Sequence, residues 1–100
     1  MIYKVQAKFI KGKAKEFYQK LTDGTIKKQR PDGKEIIASM KRAKIDSTGL
    51  IKWTELCYCP TPLYHERATV YDNFFTDMKT EVTNKHEDFE GDSFMESISP

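Results

Sequence analysis

The side chains most able to do chemistry crowd into one short stretch: Cys57, Cys59, Tyr64, His65, Glu66 and Arg67. A thiol near the start of a helix can have its pKa lowered, and a neighbouring histidine can act as its base. Together they would make a nucleophile. The plainer reading of the two thiols is packing, because alternate strand residues share a face and free cysteines are among the most buried residue types. Cys57, Cys59, His65 and His86 could also supply four zinc ligands. Structural zinc sites pair their ligands two to four residues apart. A Cys-x-Cys pair and histidines 21 positions apart do not fit that spacing, so no metal and no cofactor is predicted. His86, between Lys85 and Glu87, reads as a solvated surface residue.

Other motifs are weaker. Glu87, Asp88, Glu90 and Asp92 form an acidic run that could raise one carboxyl pKa for acid–base work. On an edge strand such a run more often protects against edge-to-edge pairing. Lys11, Lys13 and Lys15 read as the wet start of a helix. Neither Lys11-Gly12-Lys13 nor Pro31-Asp32-Gly33-Lys34 has the spacing of a phosphate-cradling glycine loop.

The elements that must position these residues follow from periodicity. Residues 2–9 alternate, with Tyr3, Val5, Ala7 and Phe9 on one side and Lys4, Gln6 and Lys8 on the other, which predicts a half-buried strand. Ala14, Phe17, Tyr18 and Leu21 recur at helical spacing. Asp23-Gly24 either ends that helix or lies within a weaker turn reaching Ile26 and Lys28. Arg30-Pro31-Asp32-Gly33 is a turn. Residues 35–45 are read as a strand because Ile36-Ile37 is β-like, although Ala38, Met40, Lys41 and Ala43 favour a helix.

Asp46-Ser47-Thr48-Gly49 predicts a hairpin loop leading into a strand over residues 50–59, with a bulge near Glu55 where the phase of Trp53 and Leu56 shifts. Thr61 and Pro62 would then cap and open a second helix, which Val70, Tyr71, Phe74, Phe75 and Met78 carry to about Met78. Residues 80–90 read as a last edge strand broken by Gly91, and Phe94, Met95 and Ile98 as a short terminal turn packing back. The expected core is Tyr3, Val5, Phe17, Leu21, Val70, Phe74 and Met78.

The resulting order is β-α-β-β-α-β, a ferredoxin-like α+β domain spanning residues 1–100, with a four-stranded antiparallel sheet and two helices on one face. At 100 residues, with 38% hydrophobic residues, the chain can bury one core without staples. No stretch approaches the roughly 18 apolar residues of a membrane span. Met1-Ile2-Tyr3-Lys4 alternates too early for a signal peptide, and a Cys-x-Cys pair suits reduced thiols. A cytoplasmic location is therefore expected, with no membrane partner.

Charge is polarised along the chain. Residues 1–52 carry 14 Lys and Arg against 5 Asp and Glu, and residues 53–100 carry 3 against 10. The first reading is that the halves attract each other within the fold or across a homodimer. The second is a basic face for nucleic acid. The element order is shared with RNA-recognition domains, but the Trp53 and Tyr58 phases oppose each other and no stacking signature is present.

The stretch from Leu50 to Pro60, with Trp53, Cys57, Tyr58 and Cys59, resembles small bacterial proteins of ferredoxin-like fold. That resemblance brings no named activity with it. By element order the chain is similar to dimeric α+β barrel proteins, in which two sheets pair face to face and can enclose a small-molecule pocket. The expectation placed first is a non-enzymatic domain that self-associates or binds a protein. The second is a small-ligand protein or enzyme of the dimeric-barrel type, its pocket lined by Trp53, Cys57, Tyr58, Tyr64 and His65. The third is a nucleic-acid binder using the basic half.

Overall fold

Alternation builds the first element as expected. In the computed structural model, which describes residues 1–100, β1 (Ile2–Phe9) buries Tyr3, Val5 and Ala7 and turns Lys4, Gln6 and Lys8 to the other face. Gly12 then turns the chain at φ +89°. Helix α1 (Ala14–Thr22) buries Phe17 and Leu21. It stops at Asp23, where Gly24 takes a φ of +92° that any other residue would resist, so the helix does not reach Ile26.

Residues 35–42 depart from the strand expected over 35–45, and Gly33 and Lys34 join them. They form α2 (Gly33–Arg42), and only Lys44–Ile45 is extended, as β2. Ile36 and Met40 stand four residues apart and bury one helical stripe, and the good helix formers around them outweigh the β-branched pair Ile36-Ile37. The Asp46–Gly49 hairpin is present: Asp46 Oδ1 accepts from the Thr48 hydroxyl and from the Thr48 and Leu50 N–H groups.

Strand β3 (Leu50–Leu56) pairs with β1 in unbroken register, Val5 opposite Trp53 and Tyr3 opposite Glu55. The bulge expected near Glu55 is absent. The phase shifts because a buried carboxylate, Glu55, holds an inward position. The one irregularity lies between Gln6 and Lys8 against the neighbouring strand, near Asp77 at φ +54°.

The long second helix is also replaced. Leu63, in the left-handed region at φ 56°, precedes a short α3 (Tyr64–Thr69), so Thr61 and Pro62 do not open the helix. A 3-10 turn (Tyr71–Asn73) follows, then β4 (Phe75–Thr83). Val70 and Phe74 are buried as expected and Tyr71 and Phe75 with them, but at a break between elements; Met78, expected in the core, is only half-buried. Helical and broken spacing both bring such a cluster inward. The edge strand is thus β4. Residues 84–91 cross to the opposite edge, where β5 (Asp92–Ser93) and α4 (Phe94–Ile98) pack Phe94 and Ile98 back onto the core.

The architecture is α+β, with a five-stranded antiparallel sheet ordered β4-β1-β3-β2-β5 and four α-helices. Strand residues Val5, Ile51 and Trp53 share one core with Phe17, Ile36, Met40, Phe74 and Phe94. Phe17 stacks on Phe74 with ring centroids 4.3 Å apart, and Trp53 meets Tyr71 and Phe75. Segment 84–91 straps the other face: Glu87 and Asp88 pair with Lys4 and Lys44, and His86 hydrogen-bonds Thr54 at 2.7 Å. No helix is long and apolar enough to cross a membrane.

Candidate functional site

Where β3 runs out, the chain turns through Cys57, Tyr58 and Cys59, and α3 returns Glu66 beneath them. Together with Asp32 and Glu35, from the start of α2, these residues line a pocket of about 270 Å³. The turn after β3 brings both cysteines to the same side. Cys59 N–H donates to Cys57 Sγ at 3.3 Å. Both thiols converge on one carboxylate oxygen, Glu66 Oε1, at 3.7 Å from Cys57 Sγ and 3.3 Å from Cys59 Sγ. All three atoms lie within 4.8 Å of one another.

Glu66 is buried yet makes no ion pair. The pocket's other acids are engaged. Glu35 Oε2 takes Arg42 Nη2 at 3.0 Å and the Leu56 N–H at 3.0 Å. Asp32 accepts from Gln29 at 2.8 Å and pairs with His65 Nδ1 at 2.5 Å. Behind them Glu55 Oε1 accepts from Tyr71 at 2.6 Å and from Trp53 Nε1 at 2.9 Å, while its buried Oε2 has no partner.

Burial is the main force on the titrating groups. It pushes the Glu55 carboxyl up to about 8, with the charges of Glu66 and Glu35 adding to it and the Tyr71 and Trp53 donors opposing. It holds the Tyr71 hydroxyl well above its ordinary value, helped by the charge of Glu55. It lifts the Cys57 thiol to about 12, with the hydrogen bond to Glu66 raising it further. A raised thiol pKa is the opposite of what an activated nucleophile requires.

The residues expected to line one ligand pocket therefore part company. Trp53 is fully buried in the core. Cys57 and Tyr58 line the thiol pocket, with Tyr58 85% exposed at its rim. Tyr64 lines a separate concavity with Pro62 and Arg67. His65 turns to Asp32, and His86 lies on the strap, so neither joins the sulfur cluster. Glu66 stands in the sequence cluster, but nothing in its spacing singles it out as the partner of the two thiols. Asp32 and Glu35 were hidden in a turn and in an expected strand. Only the Glu55 phase shift signalled a buried acid. Comparison with protein families, curated proteins and solved structures returned no match.

Proposed function

We propose that this chain is a small binding protein whose ligand is a soft divalent cation, zinc first, held by Cys57, Cys59 and Glu66. One observation carries the reading: two thiols converge on a buried carboxylate that has no cation of its own, at the wall of a pocket. Sulfur and carboxylate donors suit zinc, and three protein ligands leave a fourth position facing the pocket. Binding would release the thiol protons and offset the negative charge gathered by Glu66, Glu35 and Asp32. The free thiols fit a reducing compartment such as the cytoplasm. The β4-β1-β3-β2 run within the sheet supports reading the fold as ferredoxin-like, elaborated by a second crossover helix and an added edge strand.

The test is metal content after zinc loading and exhaustive dialysis. One zinc per chain is expected, with loss in Cys59→Ser and weakening by about tenfold or more in Glu66→Gln. Zinc-free protein, or equal retention by both variants, would exclude the reading.

A second reading, self-association or a protein partner, is favoured by exposed apolar side chains near the same sheet end. Tyr58 and Val82 are 85% and 54% exposed, and Met1 is 59% exposed. Sedimentation of the Tyr58→Ser/Val82→Ser pair tests it. A dimer that becomes a monomer supports it, and a monomeric parent removes it.

A further inference from the structure

The segment joining α1 to α2 forms a second concavity, of about 460 Å³, that the cation reading leaves unused. Its walls carry Lys27, Lys28, Arg30 and Lys34 together with Gln29. They hold no acidic and no hydrophobic side chain. None of the molecule's ion pairs involves any of these four cations. The nearby Asp23 feels Lys28, but its carboxylate accepts from the Thr25 N–H at 2.9 Å. A neighbouring concavity of about 370 Å³ shares Lys27 and Lys34, adds Lys41 and again contains no acid. Lys34 and Lys41 are seven positions apart on α2, so they lie on one face of the helix.

The backbone carrying these charges is fixed. Lys28 N–H donates to Gly24, Gln29 N–H to Ile26 and Gly33 N–H to Gln29. The Gln29 amide donates to Asp32 and to Thr69, both at 2.8 Å. Gly33 sits so close to this segment that a Cβ there would meet the Ile26 carbonyl oxygen at 2.2 Å. Ile26 itself is buried. The cations thus line a shaped groove, where their mutual repulsion finds no internal relief.

We propose that this groove binds an anion carrying several adjacent phosphate groups. Lysine and arginine donors suit phosphate oxygens. The volume is that of a small-molecule site. The main concavity has no aromatic surface for a base to stack on, so it recognises charge rather than a nucleobase. The site is independent of the thiol pocket.

The test titrates inorganic tripolyphosphate into protein freed of divalent ions, followed by amide NMR and thermal unfolding. Shifts centred on residues 24–41, a raised Tm and affinity falling with salt are expected. Lys27→Gln/Lys34→Gln should weaken binding about tenfold or more, while Lys11→Gln/Lys15→Gln, exposed and outside the groove, stays within about twofold. Without the anion, the first pair should melt no lower than the parent, since it removes repulsion. Adenosine triphosphate binding no tighter than tripolyphosphate upholds a site that reads adjacent phosphates alone; markedly tighter binding would show recognition of the nucleoside and overturn the charge-only reading. No binding at millimolar tripolyphosphate, or equal loss in both variant pairs, overturns it. Single-stranded RNA binding far tighter, with shifts spreading over the sheet, overturns it in favour of a nucleic-acid surface.

Discussion

Glu55 occupies an inward position of β3 where alternation calls for an apolar side chain, and its surroundings keep it protonated. Its ordinary pKa is 4.5, and burial raises this to about 8. Between those values the folded chain holds a proton that the unfolded chain has lost. The stability this group contributes is full below its unfolded pKa and is lost as pH rises through about 8, at about 1.4 kcal/mol per pH unit across that window. Chemical denaturation of metal-free protein should show that decline. Glu55→Gln, which keeps an oxygen acceptor for Trp53 and Tyr71, should flatten it; an unchanged slope would refute the assignment. The thiols differ in the same way. Cys57 is buried with its pKa near 12, and Cys59 is half-buried. Timed alkylation read by mass spectrometry should modify Cys59 first and Cys57 slowly. The sequence showed the thiols and the phase shift at Glu55. It could not show which carboxylate the thiols would meet, because Glu66 comes from a different element.

At the scale of elements, β1 and α1 were legible because each has one clear period and a wet opposite face; β3 was legible despite the phase shift at Glu55, and α4 was expected only as a short terminal turn packing back. Segments 33–45 and 70–83 were not. Ile36-Ile37 suggested a strand, while the pattern that decides the helix, Ile36 and Met40 facing the sheet, needs the sheet to be in place. Val70, Tyr71, Phe74, Phe75 and Met78 satisfy a helical stripe, yet the 3-10 turn and the switch into β4 let the first four fill the same aromatic cluster. Phe74 is 1% exposed and stacks on Phe17. Phe74→Ala should cost about 3 kcal/mol or more in a urea melt. A loss below about 1 kcal/mol would mean the cluster collapses to fill the gap. Gly33→Ala should also destabilise, since its Cβ would strike backbone rather than a movable side chain.

Across the whole molecule, the charge polarity of the chain meets itself in space. Lys4, Lys8 and Lys44 pair with Glu87, Asp77 and Asp88. Two of these contacts lie on the strap, whose acidic run lacks periodicity and so read as an edge strand. Exposed pairs of this kind contribute about 0–1 kcal/mol each and are screened by salt. Hydrogen exchange in residues 84–90 should therefore quicken at about 1 M salt, while β1 and β3 stay protected; equal protection at both salts would show that packing, not charge, holds the strap. Lys27, Lys28, Arg30 and Lys34, in the α1–α2 groove, are the concave part of the basic half that makes no ion pair; Lys11, Lys15, Lys41 and Lys52 are also unpaired but do not line that concavity.

The most direct test of the metal-binding account is the optical spectrum of the cobalt-substituted protein. The account predicts strong near-ultraviolet thiolate-to-cobalt absorption at one equivalent, lost in Cys59→Ser as that variant loses the metal. Absence of that band at saturating cobalt, or a band that the Cys59→Ser substitution leaves unchanged, would contradict it.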